Sequence, residues 1–185
     1  MIMRFFIAIL FISLFSCKSP KVRATDYLLN TTSKIVVMSY PERTSWDIRN
    51  TEKIIEKNNI LFDTTLVIDK IQLEKEDVNT FIDILNKEFV SSSEADQISN
   101  CYLPRHLAVF YDKKNNIIAY LESCFICGTT NTSKNLEVFY GFDLENLKGF
   151  YKKKNIRYFV DSSEDQKKEL KYIDSIKSAN NKTLK

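Results

Sequence analysis

Three of the four cysteines and the only histidine of this 185-residue chain fall in two short stretches, Cys101-Tyr-Leu-Pro-Arg-His106 and Cys124-Phe-Ile-Cys127. Thiolates and imidazole are the ligands of structural zinc, which needs four donors about 2.0 to 2.3 Å from one ion. Two thiols can instead form a disulfide, which persists outside the cytoplasm. A Cys-x2-Cys pair can carry thiol–disulfide exchange, most often where it opens a helix whose N-terminus lowers a thiol pKa. Arg105, His106 and Glu122 add a further candidate: a small polar site beside the cysteines, with Arg105 available to grip a carboxylate or phosphate. No serine or cysteine nucleophile stands at a recognisable spacing from a base, so no catalytic residue is assigned.

The elements that position these residues decide among the chemistries. Residues 106–112 and 117–124 are rich in Val, Ile, Phe, Tyr and Leu, and Lys113-Lys-Asn-Asn116 lies between them. Asparagine tolerates the left-handed backbone that hairpin turns demand, so the pattern predicts a β-hairpin. A turn over residues 113–116 sets Asp112 against Ile117, and each cross-strand pair then sums to 229. Cys124 falls opposite Arg105, with Cys101 near Cys127 at the same open end, so three cysteines converge although Cys101 and Cys124 are 23 positions apart. Alternation places Arg105, Leu107, Val109, Tyr120, Glu122 and Cys124 on one face, and His106, Ala108, Phe110, Ala119 and Leu121 on the other. His106 therefore points away from Cys124, which argues against a Cys3His site, and no metal ligand or cofactor is assigned. Phe125-Ile126 continue a strand with no helix after them, which argues against the redox motif. The favoured reading is a staple from Cys101 to Cys124 or Cys127, closing a loop of about 24 to 27 residues and stabilising by roughly 3 kcal/mol. Arg105 and Glu122, diagonal on one face, are expected to pair across the strands.

The rest of the chain supplies an α+β fold, a mainly antiparallel sheet with the hairpin at its centre and two or three helices packed on one face. Lys34 to Tyr40 reads as a first strand ended by Pro41, and the end of Leu61 to Leu73 as a second. Val78, Phe81, Ile82 and Leu85 recur at i, i+3, i+4 and i+7, predicting a helix over Lys75 to Phe89 with Glu74, Glu76 and Asp77 at its positive end. Gly128 to Asn135 reads as a loop and Leu136 to Phe142 as a long strand. Asp143 should cap a short helix running to Lys154, with Ile156 to Val160 returning as an edge strand. A charged C-terminal helix should turn Leu170, Ile173 and Ile176 inward.

The N-terminus MIMRFFIAILFISLFSC has one charge, Arg4, followed by an apolar run from Phe5 to Phe15 broken only by Ser13. That is the layout of a secretory signal peptide. It is too short for a lasting span, which needs about 20 apolar residues. Leu14-Phe15-Ser16-Cys17 resembles the lipobox of bacterial lipoproteins. The resemblance implies cleavage before Cys17 and acyl chains on its sulfur and amine, a lipid anchor that holds the chain to the membrane. Lys18 is unlike the aspartate associated with inner-membrane retention, so the outer membrane of the cell envelope is favoured.

The domains expected are a signal peptide over 1–16, the lipidated cysteine and a tether over 17–29, an α+β domain over 30–161 and a charged helix and tail over 162–185. Removing residues 1–16 leaves 169, the size of one domain. With Cys17 acylated, three cysteines remain, an odd number that allows one bridge and one thiol. Formal charge is +3 for the whole chain, with lysines interspersed among acids, so no nucleic-acid partner is expected. Cys101-Tyr-x-Pro-Arg-His106, Phe110-Tyr-Asp112 and Tyr120-x-Glu-x-Cys-Phe-x-Cys127 together resemble a signature of small, uncharacterised bacterial lipoproteins. That group implies a shared fold and brings no activity with it. The expected function is a membrane-anchored envelope lipoprotein acting as a non-catalytic binding module, with an envelope protein as candidate partner. The competing expectation is a thiol–disulfide redox or metal-binding protein using Cys124 and Cys127.

Overall fold

The structure, a computed structural model, describes residues 20–47, 53–87, 101–136 and 143–183. Its element order is α1 (Pro20–Thr31), β1 (Lys34–Ser39), β2 (Ile55–Glu56), β3 (Asn59–Ile60), β4 (Asp69–Gln72), α2 (Lys75–Asn86), β5 (His106–Tyr111), β6 (Ile117–Cys124), β7 (Thr129–Thr132), α3 (Leu144–Lys153) and α4 (Ser163–Thr183). Five strands form one antiparallel sheet in the order β4-β1-β5-β6-β7, and β2 and β3 form a separate small hairpin. The fold is therefore α+β, with the β5–β6 hairpin at the centre of its main sheet.

Alternation along the central strands sorts them onto two cores. Ala108, Phe110, Ala119 and Leu121 join Ile35 and Val37 beneath α1, α2 and α3, where Leu28, Phe81, Ile82, Leu147, Phe150 and Tyr151 are buried. Leu107 and Val109 face the opposite way with Val36, Met38, Tyr40, Ile54 and Phe62, and the β2–β3 hairpin and its flanking turns cover them. With both faces covered, the central strands are almost uninterruptedly apolar. The stripe Val78, Phe81, Ile82 and Leu85 is buried as its spacing requires, and the Asp143 side chain accepts from the Asn146 N–H at the start of α3.

The hairpin register departs from expectation at its turn. Pairs sum to 229 from His106↔Ser123 to Phe110↔Ala119, but Tyr111 faces Ile117 and Ile118 is an extra residue. The Asp112 carboxylate accepts from the Lys114 and Asn116 N–H groups, and Asn115 takes φ 63°. These contacts close a three-residue loop, one shorter than expected, and the bulge at Ile118 restores the register.

Three further expectations are corrected. Residues 129–132 are not loop but strand β7: Gly128 at φ +67° turns the chain back along β6, and threonines suit an extended edge. Residues 156–160 are not a strand. Ile156 N–H donates back to the Tyr151 carbonyl at 3.1 Å, Arg157 N–H and Tyr158 N–H donate to Asp69 Oδ2 at 3.0 and 2.8 Å, and His106 Nε2 meets the Tyr158 carbonyl at 2.9 Å. Asp69, Ser39 and His106 are neighbours in register across β4, β1 and β5, so this segment straps the end of three strands. On α4, Ile173 is buried and Ile176 half-buried as expected, but Leu170 is 57% exposed and Glu169 takes the inward place beside it.

Of the strand expected over 136–142, Leu136 lies in a turn and residues 137–142 lie outside the described residues, as do those around Cys17. Residues expected to form the tether are helical from Pro20, and Leu28 of that helix is fully buried in the core. Among the described residues no helix is long and apolar enough to cross a membrane.

Candidate functional site

The three cysteines meet at the open end of the hairpin. Cys101 and Cys127 form a disulfide with a Cα–Cα distance of 5.6 Å, and Cys124 is free and buried. All three sulfurs lie within 4.8 Å of one another. β6 delivers Cys124, and the turn through Gly128 brings Cys127 back so that its N–H donates to Cys124 Sγ at 3.2 Å. The Thr129 hydroxyl donates to the Cys101 carbonyl at 3.3 Å, seating the far end of the bridge on β7. At 26 residues of separation, the bridge stabilises by about 3.5 kcal/mol in the chain-entropy view.

Arg105, His106 and Glu122 do not form one site; each is held by different partners. Glu122 is fully buried and pairs with Arg43, not Arg105. Arg43 Nε donates to Oε1 at 2.6 Å and Nη2 to Oε2 at 3.0 Å, a bidentate clamp. The Tyr40 and Tyr102 hydroxyls donate to the same carboxylate at 2.6 and 2.5 Å, and Asp47 approaches Arg43 Nη1 at 3.4 Å. Burial works against the Arg43 cation, but the hydrogen bond and charge of Glu122 outweigh it and raise its pKa. Burial and then the Glu122 charge push both phenols up. The cause of this arrangement is local: Pro41 ends the extended chain after β1, and a 3-10 turn at Arg43–Ser45, capped by the Glu42 side chain, swings Arg43 under the sheet.

Arg105 turns to α4. Its Nε donates to Glu169 Oε1 at 2.8 Å and its Nη2 to Oε2 at 2.5 Å, while Nη1 reaches the Leu103 carbonyl at 2.8 Å. Tyr158 Oη and the Glu42 N–H add donors to Glu169 Oε1 at 2.7 and 2.9 Å. Burial raises the Glu169 pKa, but these donors, Arg105 first, hold it below the ordinary value.

His106 lies on the helix-covered face, as alternation requires. Its ring stacks on Phe159 with centroids 4.7 Å apart and tilts against Phe125 at 4.9 Å. A carbonyl only accepts, so Nε2 carries the proton and Nδ1 is the bare nitrogen. Among the described residues Nδ1 has no partner, nor has the hydroxyl of Ser123, its cross-strand neighbour. Burial pushes the imidazole pKa down to about 3. With Nε2 on Tyr158 and the ring on the far face, His106 joins no cysteine as a ligand. Among the described residues Cys124 alone offers a free thiol.

Tyr40, Arg43, Tyr102, Tyr158 and Glu169 belong to these clusters and were not singled out from sequence. A usable signal did exist for Glu169 and, through its partner Glu122, for Arg43. Glu122 sits in an otherwise apolar strand and must bury its charge against a cation, and Glu169 sits one position from an apolar stripe.

Among the described residues one groove of about 400 Å³ lies between residues 157–160, α4 and Ile68, with Asp165, Lys168, Glu169 and Tyr172 of α4 in its wall, and another of about 440 Å³ lies between α2 and α3. Ile68 and Tyr172 are 46% and 45% exposed at the first. No family model, curated protein sequence or solved structure matches the chain.

Proposed function

We propose that the chain is a lipoprotein of the bacterial cell envelope, anchored in the outer membrane through acylated Cys17, whose body is a non-catalytic module binding another envelope protein. Two features support the compartment. Residues 1–17 carry the signal and lipobox pattern, and a Cys101–Cys127 disulfide suits an oxidising surrounding. The binding role rests on one observation, the groove beside α4, whose volume lies in the ordinary range for binding clefts of about 300 to 1,000 Å³ and whose rim exposes Ile68 and Tyr172 between charged residues. The Arg105–Glu169 ion pair acts as scaffold, holding Glu169 in the groove's wall.

The test is made in a bacterial host supplied with labelled palmitate. Wild-type chain should take up label and sediment with membranes, and Cys17→Ala should do neither. In intact cells, chemical cross-linking should give a discrete adduct with wild type that Ile68→Asp/Tyr172→Asp loses while remaining folded and lipidated. An unlabelled wild type overturns the anchor, and an adduct indifferent to the groove substitutions overturns the binding role.

A further inference from the structure

The cysteine cluster carries more than a staple. A third sulfur, Cys124 Sγ, sits within 4.8 Å of both bonded sulfurs and is fixed there by the Cys127 N–H. The bonded pair is half-buried and the free thiol is buried. Ile126, at the tip of the turn joining Cys124 to Cys127, is 44% exposed.

We propose that Cys124 exchanges with the Cys101–Cys127 bridge, moving the cluster's free thiol from the interior to a half-exposed position. The Cys124 thiol loses its proton to solvent, and the thiolate attacks one sulfur of the bridge. One S–S bond breaks and one forms. Attack on Cys127 gives Cys124–Cys127 and releases Cys101; attack on Cys101 gives Cys101–Cys124 and releases Cys127. The released thiolate takes up a proton, so thiols and disulfides are conserved and no external oxidant or reductant enters. Three sulfurs held together by the ladder remove the encounter step that limits exchange between separate molecules. The resulting thiol at Cys101 or Cys127 would be open to attack a disulfide of another molecule, where Cys124 is not. This goes beyond the binding role and stands or falls separately from the anchor.

The experiment uses the detergent-extracted mature protein under non-reducing conditions. N-ethylmaleimide is added to the folded protein at pH 8 for increasing times. Each sample is quenched in acid, unfolded, alkylated with iodoacetamide without reduction, and mapped by peptide mass spectrometry. Exchange predicts maleimide on Cys101 or Cys127 that accumulates over minutes to hours, the range of uncatalysed disulfide rearrangement. A bridged peptide containing Cys124 should accumulate in step. Cys124→Ala should keep the Cys101–Cys127 bridge and take no maleimide. Label on Cys124 alone, whether in the folded protein or only after unfolding, overturns the proposal. Immediate stoichiometric label on Cys101 or Cys127 also overturns it, since that reports a fixed bridge of different pairing. Both outcomes are read from wild type, so they hold even if the alanine variant does not fold.

Discussion

His106 makes a clean probe of the interior because it is the chain's only histidine. Its ring is 2% exposed and boxed by Phe125, Tyr151 and Phe159. Charging it there would strip its hydration. Arg105 and Lys148 add to the penalty, and the Tyr158 carbonyl and Asp69 offset part of it. The folded pKa is about 3 against an ordinary 6.5. Because the folded value is depressed, the native ring stays neutral while the unfolded chain takes up a proton. Stability is therefore complete above 6.5 and is lost as pH falls from 6.5 toward 3. Integrating between those two values gives a loss of about 2 kcal/mol at pH 5 and about 3 kcal/mol at pH 4, relative to pH 8.

With a urea slope of about 1 to 3 kcal/mol per molar, the denaturation midpoint should drop by about 1 M between pH 8 and pH 5. Carboxylates such as Glu169 and Asp69, whose folded values are also lowered, act in the same direction but below this window, so pH 5 to 6.5 isolates the ring. His106→Phe preserves the aromatic box and should flatten the dependence in that interval. In wild type the single imidazole Hε1 resonance should not titrate in the folded protein down to pH 4. A folded-state titration near 6.5, or an unchanged slope in the phenylalanine variant, would show that the ring is solvated and the reasoning wrong.

Glu122→Gln should cost about 3 to 5 kcal/mol, because it leaves the buried Arg43 cation without a countercharge. Arg43→Met combined with Glu122→Leu should recover much of that loss, as equilibrium denaturation of both variants will read; a cost under about 1 kcal/mol for Glu122→Gln would contradict the buried clamp. Cys101→Ala/Cys127→Ala should lower stability by about 3.5 kcal/mol. Reducing the wild-type bridge should give a similar loss, and a double variant as stable as oxidised wild type would mean that the bridge ties nothing down.

Much of the sheet was legible because its signals are local. The alternation of residues 106–124 determines which core each side chain joins, and it turns His106 away from the sulfurs. The slip at Phe110 and Tyr111 was not legible. It depends on Asp112 capturing two loop N–H groups and Asn115 adopting φ 63°, either of which could equally serve a four-residue turn. Ion partners were illegible for a different reason. Arg105 has Glu122 on its own face of the hairpin, yet its mate is Glu169, 64 residues away, while Arg43 reaches Glu122 from 79 residues away. Proximity along a hairpin is visible in sequence; where a helix docks is not. The same docking explains Leu170, since the Arg105–Glu169 pair seats α4 so that a charge rather than a leucine faces inward. Convergence of the cysteines followed from strand pairing, but the choice of Cys127 over Cys124 as partner for Cys101 came from the turn at Gly128.

The strap over residues 156–160 has a consequence for how the molecule can come apart. It holds the sheet through the Asp69 carboxylate and the His106 ring, and the helix that follows it docks through Glu169 onto Arg105 and the Glu42 backbone. None of these links is a rung of the five-stranded ladder. The strap and α4 thus form a unit that can open sub-globally while β1, β4, β5, β6 and β7 keep every backbone hydrogen bond between them. Two of its fastenings are carboxylates and one is a neutral imidazole, so acid weakens the imidazole link first and the two carboxylate links below it. The groove walled by this unit is accordingly the part of the protein whose walls can separate first, well before the disulfide-clamped hairpin yields.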